Sequence, residues 1–165
     1  MLVRKLTGED EEALWFLRLR ALTDNPEAYA ATLEETLASG RERVIQLDHL
    51  EEAFYIGAFE SDLIGIVFFR REEGRKNRHK GRILSMYVQP ESRGQGVGKL
   101  LLQKVISQAK QIDGIEQLHL TVVTTNVAAC SLYSSMGFEV YGTILQALKM
   151  NEQYWDEEMM VLRLS

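Results

Sequence analysis

Ile83-Leu84-Ser85-Met86-Tyr87-Val88-Gln89-Pro90-Glu91-Ser92-Arg93-Gly94-Gln95-Gly96-Val97-Gly98-Lys99-Leu100-Leu101-Leu102 is the stretch on which the fold turns. Its first six residues are mostly apolar and predict a strand that ends before Pro90. A loop with three glycines follows. Val97, Leu101, Val105 and Ala109 then recur four apart, which stacks them on one face of a helix. Strand, glycine loop, helix is the order that leaves bare backbone N–H groups at a helix N-terminus, where the helix dipole is positive. A phosphate or pyrophosphate suits such a site. Gly94, Gly96 and Gly98 carry no Cβ, so a ligand can approach the backbone closely.

Spacing sorts the loop among known phosphate cradles. A Walker loop needs G-x-x-x-x-G-K-[ST], but Arg93 stands where the first glycine belongs and Leu100 where Ser or Thr must hold magnesium. A dinucleotide fingerprint needs G-x-G-x-x-G, and the spacing here is G-x-G-x-G. Asp113 sits near the distance of the acidic residue in that fingerprint, but Asp113-Gly114 reads as a turn rather than a strand end. A third pattern fits: Arg93-Gly94-Gln95-Gly96-Val97-Gly98 matches [QR]-x-x-G-x-[GA]. Beyond a second strand, Leu118-His119-Leu120-Thr121-Val122-Val123, stands Asn126-Val127-Ala128-Ala129-Cys130-Ser131-Leu132-Tyr133-Ser134-Ser135-Met136-Gly137-Phe138. This fits N-x-x-A-x-x-L-Y-x-x-x-G-F at every named position. With both motifs in this order, the chain resembles the GCN5-related N-acetyltransferases (GNAT). The first motif is that family's acetyl-CoA loop. The resemblance is most specific over residues 83–138.

Composition narrows the classes. The 165 residues suffice for one domain with a substantial core, read as a single domain over 1–165. A net charge of −5 supplies no basic field to draw the chain to nucleic acid or an anionic membrane. No apolar run reaches the roughly 18 residues of a spanning helix, and the N-terminus shows no signal-type apolar region. The single cysteine, Cys130, cannot close an internal disulfide or build a metal site alone, so no metal is expected. A soluble cytoplasmic protein is the expectation. One basic run, residues 70–82, lies between two strand-like stretches and reads as a long, solvated hairpin loop. A sharper reading has some of its cations meeting an acidic substrate or the ribose phosphate of coenzyme A.

In chain order, residues 2–6 predict a strand. Thr7-x-x-Asp10 is a capping-box variant ahead of a helix whose inner face is Ala13, Leu14, Leu17 and Ala21. Helices are expected over 28–37 and from about 42 to 50. A hairpin is expected from 53–59 and 63–69, then a strand at 83–88, a helix near 97–111, a strand at 117–123 and a helix at 128–136. Closing strands are expected at 138–141 and 158–164. This is a mixed α/β sheet with one parallel crossover, right-handed by the general rule. The resemblance adds helices on both faces and two central parallel strands splayed around a pantetheine arm.

The resemblance also implies roles. The backbone of Arg93, Gly94, Gln95, Gly96, Val97, Gly98 and Lys99 would hold the pyrophosphate of acetyl-CoA. The backbone of Met86, Tyr87 and Val88 would pair with pantetheine as an added strand, with the Val88 N–H facing the thioester carbonyl. Asn126 would hydrogen-bond the pantetheine arm, and Ala129 would let the next helix approach the cofactor. Tyr133 occupies the position of the general acid that protonates the leaving thiolate, its bland alternative being an aromatic packing residue. Many relatives carry a carboxylate base on the strand before the loop. Here Arg82, Ile83, Leu84, Ser85, Met86 and Tyr87 offer none, leaving Glu27, His119 and Tyr154 as candidates. Cys130 lacks a recognisable partner base, which disfavours a covalent mechanism.

Direct transfer of acetyl to a primary amine is therefore the leading expectation. A catalytically inactive acyl-CoA sensor of the same fold is the alternative. The acceptor, a small molecule or a protein N-terminus, would meet the variable segments around Tyr29 and Tyr154, and a homodimer is left open.

Overall fold

Two neighbouring parallel strands that part company organise the molecule. The computed structural model describes residues 1–45, 47 and 51–165. β4 (Lys80–Val88) and β5 (Gln117–Val123) pair only at Lys80–Gln117, Gly81–Leu118 and Arg82–His119. Beyond these rungs each keeps its outer partner. β4 stays on β3 (Leu63–Arg71) as far as Val88, and β5 stays in unbroken register with β7 (Gln153–Arg163). The rest of the seven-stranded sheet is antiparallel: β1 (Leu2–Lys5) lies beside β2 (Ala53–Phe59), β2 beside β3, and β6 (Glu139–Met150) outside β7, in the order β1-β2-β3-β4-β5-β7-β6. β4 bends away at Ser85, a non-glycine residue at φ +53°, where its register with β3 shifts. An extra residue in one strand bends it and increases its twist, and bulges gather beside functional sites.

Helices cover both faces. α4 (Val97–Lys110) makes the crossover from β4 to β5 and buries Val97, Leu101, Leu102, Val105 and Ala109 against Phe54, Ile56, Phe69 and Leu118. α1 (Glu11–Asp24) lies on the other face, with Leu14, Leu17 and Ala21 on Tyr55, Ile66 and Tyr87. The near-continuous apolar run of β3 follows from being covered on both sides. α5 (Val127–Ser135) follows β5 on the α4 side, where Tyr133 joins the same core.

Several expectations shift. Ala13 is exposed, so the inner face of α1 begins at Leu14. The helix expected over 28–37 is a single 3-10 turn, Pro26–Ala28, then extended chain, then α2 (Leu33–Ser39). Thr32 decides that start: its hydroxyl accepts from the Glu35 N–H at 3.1 Å, and the Glu35 carboxylate accepts from the Thr32 N–H at 2.9 Å. The next helix is α3 (Arg41–Val44). Residues 46 and 48–50, which the expected helix also covered, lie outside the described residues. The basic run is the β3–β4 hairpin end, as expected: β3 reaches Arg71, β4 starts at Lys80, and 72–79 form the solvated connection between them. Three of its cations find partners, Arg71 and Arg78 on Glu52 and Arg82 on Glu72, all at the opposite end of β4 from the glycine loop. The closing strands are also longer than expected. β6 and β7 form a hairpin turned by Asn151 and Glu152, both at positive φ. β6 loses register with β7 twice, between Val140 and Gly142 and between Ile144 and Leu148.

The capping box at the start of α1 is present in modified form. Asp10 accepts from the Thr7 N–H at 2.8 Å and takes the Arg4 guanidinium on both oxygens, at 2.7 and 2.9 Å. The Arg4 hydrogen bond holds the Asp10 carboxyl below its ordinary value. Such a group stabilises the fold above the ordinary carboxylate range and loses that contribution as pH falls through its lowered value. Asp10→Ala should cost about 1–2 kcal/mol at neutral pH, discounted because Arg4 is more than a third exposed. In denaturant titrations the gap from the parent should close as the solution is acidified; a gap that persists in acid would mean packing, not charge, holds this corner.

Candidate functional site

A cleft of about 700 Å³ occupies the opening between β4 and β5 and runs from the α1 face to the junction of α4 and α5. Of the residues expected in the site, it is lined by Met86, Tyr87, Val88, Arg93, Gly94, Gly96, Val97, Gly98, Lys99, Asn126, Ala129, Tyr133 and Tyr29.

The loop forms one end. Gly94 and Gly96 sit at φ +74° and +81°, and a Cβ on either would meet nothing within 4 Å. Backbone conformation, not crowding, is what asks for glycine there. Gly98 differs: a Cβ would come within 2.9 Å of Leu132 and 3.2 Å of Met86, so its bareness seats α4 against α5 and β4. α4 starts at Gly96 without a side-chain cap. Its first-turn N–H groups therefore keep their donors for a ligand, and the surrounding space is open, which fits a pyrophosphate. Arg93 ties the loop down, donating to the Val88 carbonyl at 2.8 Å and to Asn25 Oδ1 at 2.9 Å.

The middle of the cleft is backbone and two side chains. The Gln89 N–H donates to the Ile64 carbonyl in β3 at 2.9 Å. By strand alternation the Val88 N–H then points the other way, into the opening. The Met86 carbonyl accepts from the Tyr29 hydroxyl at 3.0 Å, which closes the α1 side over β4. Tyr87 turns its ring into the α1 layer and donates to Asp24 at 2.7 Å, so only its backbone serves the opening. Asn126 Oδ1 caps α5 by accepting from the Ala129 N–H at 3.2 Å. Its amide donors have no protein partner among the described residues. Tyr133 is 6 % exposed and burial raises its pKa. Its hydroxyl has no hydrogen-bond partner among the described residues.

The α1 side holds two groups that sequence reasoning missed. Glu157 of β7 lines the cleft opposite Val123. Met160, three residues on, faces the α4 core, so alternation puts Glu157 on the α1 face. Burial raises its carboxyl above the ordinary value, while the Thr121 hydroxyl pulls it partly back. Arg18 of α1 reaches the same space. Neither had a sequence signal, because β7 was expected to begin at Glu158 and Arg18 looks like any polar residue of an amphipathic helix.

Other expected residues stand apart. Gln95 does not line the cleft and donates back to the Glu91 carbonyl at 3.3 Å. Tyr154 is 45 % exposed and lies under Lys149 on the β6–β7 hairpin, away from the lining. Glu27 and His119 are also outside it, His119 being engaged by Tyr141 and Gln117. The Cys130 thiol is raised by burial, which favours its unreactive form. Among the described residues, no cluster of His, Cys, Asp or Glu could hold a metal ion, and no helix is long and apolar enough to cross a membrane.

Comparison with known proteins agrees with this geometry. The model of the acetyltransferase (GNAT) family matches residues 15–138. An N-alpha-acetyltransferase of Sulfolobus acidocaldarius is 36% identical over 102 residues, covering 56% of this chain and 61% of that protein. A mycothiol acetyltransferase of Thermobispora bispora is 31% identical over 134 residues, 79% of this chain and 43% of that protein. The chain thus spans less than two thirds of either relative. A structure from Salmonella typhimurium, described with its cofactor acetyl-CoA, superposes with a TM-score of 0.78 at 21% identity, over 100% of this chain and 94% of that one. The family match runs from the first helix through both motifs and takes in β4 and β5, the strands that part around the cleft: the chain belongs to the GNAT acetyltransferase family.

Proposed function

We propose that this chain is an acetyl-CoA-dependent N-acetyltransferase that passes acetyl to a primary amine by direct attack. The observation that carries the reading is the meeting, in one cleft, of an uncapped glycine loop on the α4 side, a free Tyr133 hydroxyl in the middle and a desolvated Glu157 carboxylate on the α1 side. Acetyl-CoA, when bound, supplies an activated acetyl group. The loop from Arg93 to Lys99 would hold its pyrophosphate, and the free edge of β4 its pantetheine arm. The Val88 N–H is a fixed donor for the carbonyl oxygen as charge develops there. Glu157 would take the proton of the incoming amine, directly or through water; an ordinary ammonium keeps that proton at neutral pH. Glu157 stands on the neighbouring strand pair rather than on β4, so it fills the role that β4 leaves vacant. This favours turnover over a sensor. Tyr29 belongs to the acceptor wall by its place in the cleft.

Tyr133 would hold a proton for the departing sulfur. Burial keeps its hydroxyl protonated, so full transfer to an ordinary thiolate is uphill by more than about 2 kcal/mol. Transfer therefore has to accompany cleavage of the C–S bond rather than precede it.

Three measurements follow. Acetyl-CoA at about a hundred times its Kd should add about 2.7 kcal/mol of apparent stability, and Gly96→Val should remove that gain, because valine resists the positive φ of this residue. An unchanged ligand-induced shift in Tm would dismiss the loop assignment. Tyr133→Phe should lower turnover by about a hundredfold to ten-thousandfold with little change in acetyl-CoA affinity; turnover within about twofold of the parent would make the ring a packing residue. Glu157→Gln should lower turnover by about a hundredfold or more and flatten the acid limb of the pH–rate profile. A carboxyl raised in the folded state binds its proton more tightly there than in the unfolded chain, so stability falls as pH rises from the ordinary carboxylate value through the raised one. The Gln variant escapes that loss and should melt no lower than the parent at pH 7; a lower Tm with normal turnover would assign Glu157 to structure.

A further inference from the structure

Arg18 is a cation built into the cleft without a counter-ion. Its Nη1 donates to the Tyr55 hydroxyl at 2.6 Å and to the Ser85 hydroxyl at 3.1 Å. Both partners are neutral. Arg18 is not among the cations that have an acid within 4 Å, and what sets it apart from the other unpaired cations is its place in the cleft lining and its shielded Nε. The Arg18 Nε is the one buried side-chain nitrogen or oxygen among the described residues with no hydrogen-bond partner. Its Nη2 also has no protein partner among them. Nε and Nη2 lie along the same edge of a guanidinium, the edge that takes both oxygens of a carboxylate in parallel.

The two hydrogen bonds of Nη1 hold the guanidinium in place. Tyr55 stands in β2, and Ser85 is the residue at φ +53° where β4 bends. The bulge presents the Ser85 hydroxyl to Arg18, so a strained backbone position and an unpaired cation support each other. Strain of this kind persists only where its surroundings hold it in place, and it gathers at ligand sites. Arg18 is half-buried, but its Nε is shielded from water without a partner, and a ligand that brings an anion to this group supplies the missing hydrogen bond.

Resting on the acetyltransferase reading, we infer that the acceptor is a small amine that carries its own carboxylate, the free amino acid class, and that the Nε–Nη2 edge of Arg18 receives that carboxylate on the α1 side of the cleft. The room favours a small molecule over a polypeptide, since a single space of about 700 Å³ must also admit the pantetheine arm. Tyr29 closes the same side onto the Met86 carbonyl. Arg18 is then a specificity residue: it seats the acceptor, while Glu157 handles the proton.

The test pairs amino acids with their carboxamides, which keep the amine and remove the negative charge. For the parent, kcat/KM should favour the acid of each pair by about tenfold to a hundredfold, the range of a hydrogen bond to a charged group. Arg18→Gln should collapse that ratio toward one, and Arg18→Lys, which keeps the charge but not the fork, should recover only part of it. Acetyl-CoA binding, followed as the ligand-induced shift in Tm, reports whether each variant is folded and loaded. A second arm reads binding alone: an amino acid titrated calorimetrically into protein saturated with coenzyme A should bind more tightly than its amide, and Arg18→Gln should erase the difference. Equal use of acid and amide by the parent, or a ratio unmoved by Arg18→Gln, overturns the inference. Better use of peptides with an acidic second residue than of free amino acids also overturns it. If no amine releases thiol, the acetyltransferase reading fails, and the calorimetric arm still decides whether Arg18 receives a carboxylate.

Discussion

Three rungs of parallel pairing between β4 and β5 are the constraint on which the rest depends. A parallel sheet that kept its ladder would bury every backbone group in the centre and leave no room for a ligand. Here each strand leaves its inner neighbour but keeps its outer one, so the gap costs little pairing. The Val88 N–H, the Met86 carbonyl and the first turn of α4 become groups that face a cleft rather than a ladder. The positive φ of Ser85 is the local expense of the bend.

The opening divides the chemistry by face. The α4 side offers backbone donors and glycine conformations, which suit a diffuse anionic ligand. The α1 side offers side chains, with Tyr29, Arg18 and Glu157 brought from the helix connection, the first helix and the penultimate strand of the sheet order. Tyr133 stands where the two halves meet. A rigid cradle on one side and separately supplied side chains on the other let one fold hold a constant cofactor while acceptors change.

What could be read from sequence followed the same division. The glycine loop, the strand before it and the Asn126–Phe138 motif are contiguous, so spacing alone brought them together, and all but Gln95 of their expected residues line the cleft. Glu157 and Arg18 are separated from the loop by strand pairing and helix packing, and no local pattern marks either. The false leads have physical causes as well. Tyr154 was expected in a variable connection between short closing strands, but β6 and β7 extend to a turn at Asn151 and Glu152, which carries no glycine to mark it, and Tyr154 lies in β7 beside that turn. The helix expected at 28–37 ignored the Thr32–Glu35 box, whose signature was in the chain throughout.

β6 closes one rim of the sheet and exposes Val140, Tyr141, Ile144 and Leu145. A long apolar rim strand is a template on which another chain can add itself, the first step toward fibrils and precipitates. The two register breaks divide β6 into short segments, none with more than three residues in continuous pairing. The Gln146 N–H near the second break is held by Asp156 inside the same molecule at 2.7 Å. A foreign strand would find no straight run of free donors and acceptors long enough to hold it. The irregular hairpin thus guards the solubility of a sheet whose centre has to stay open.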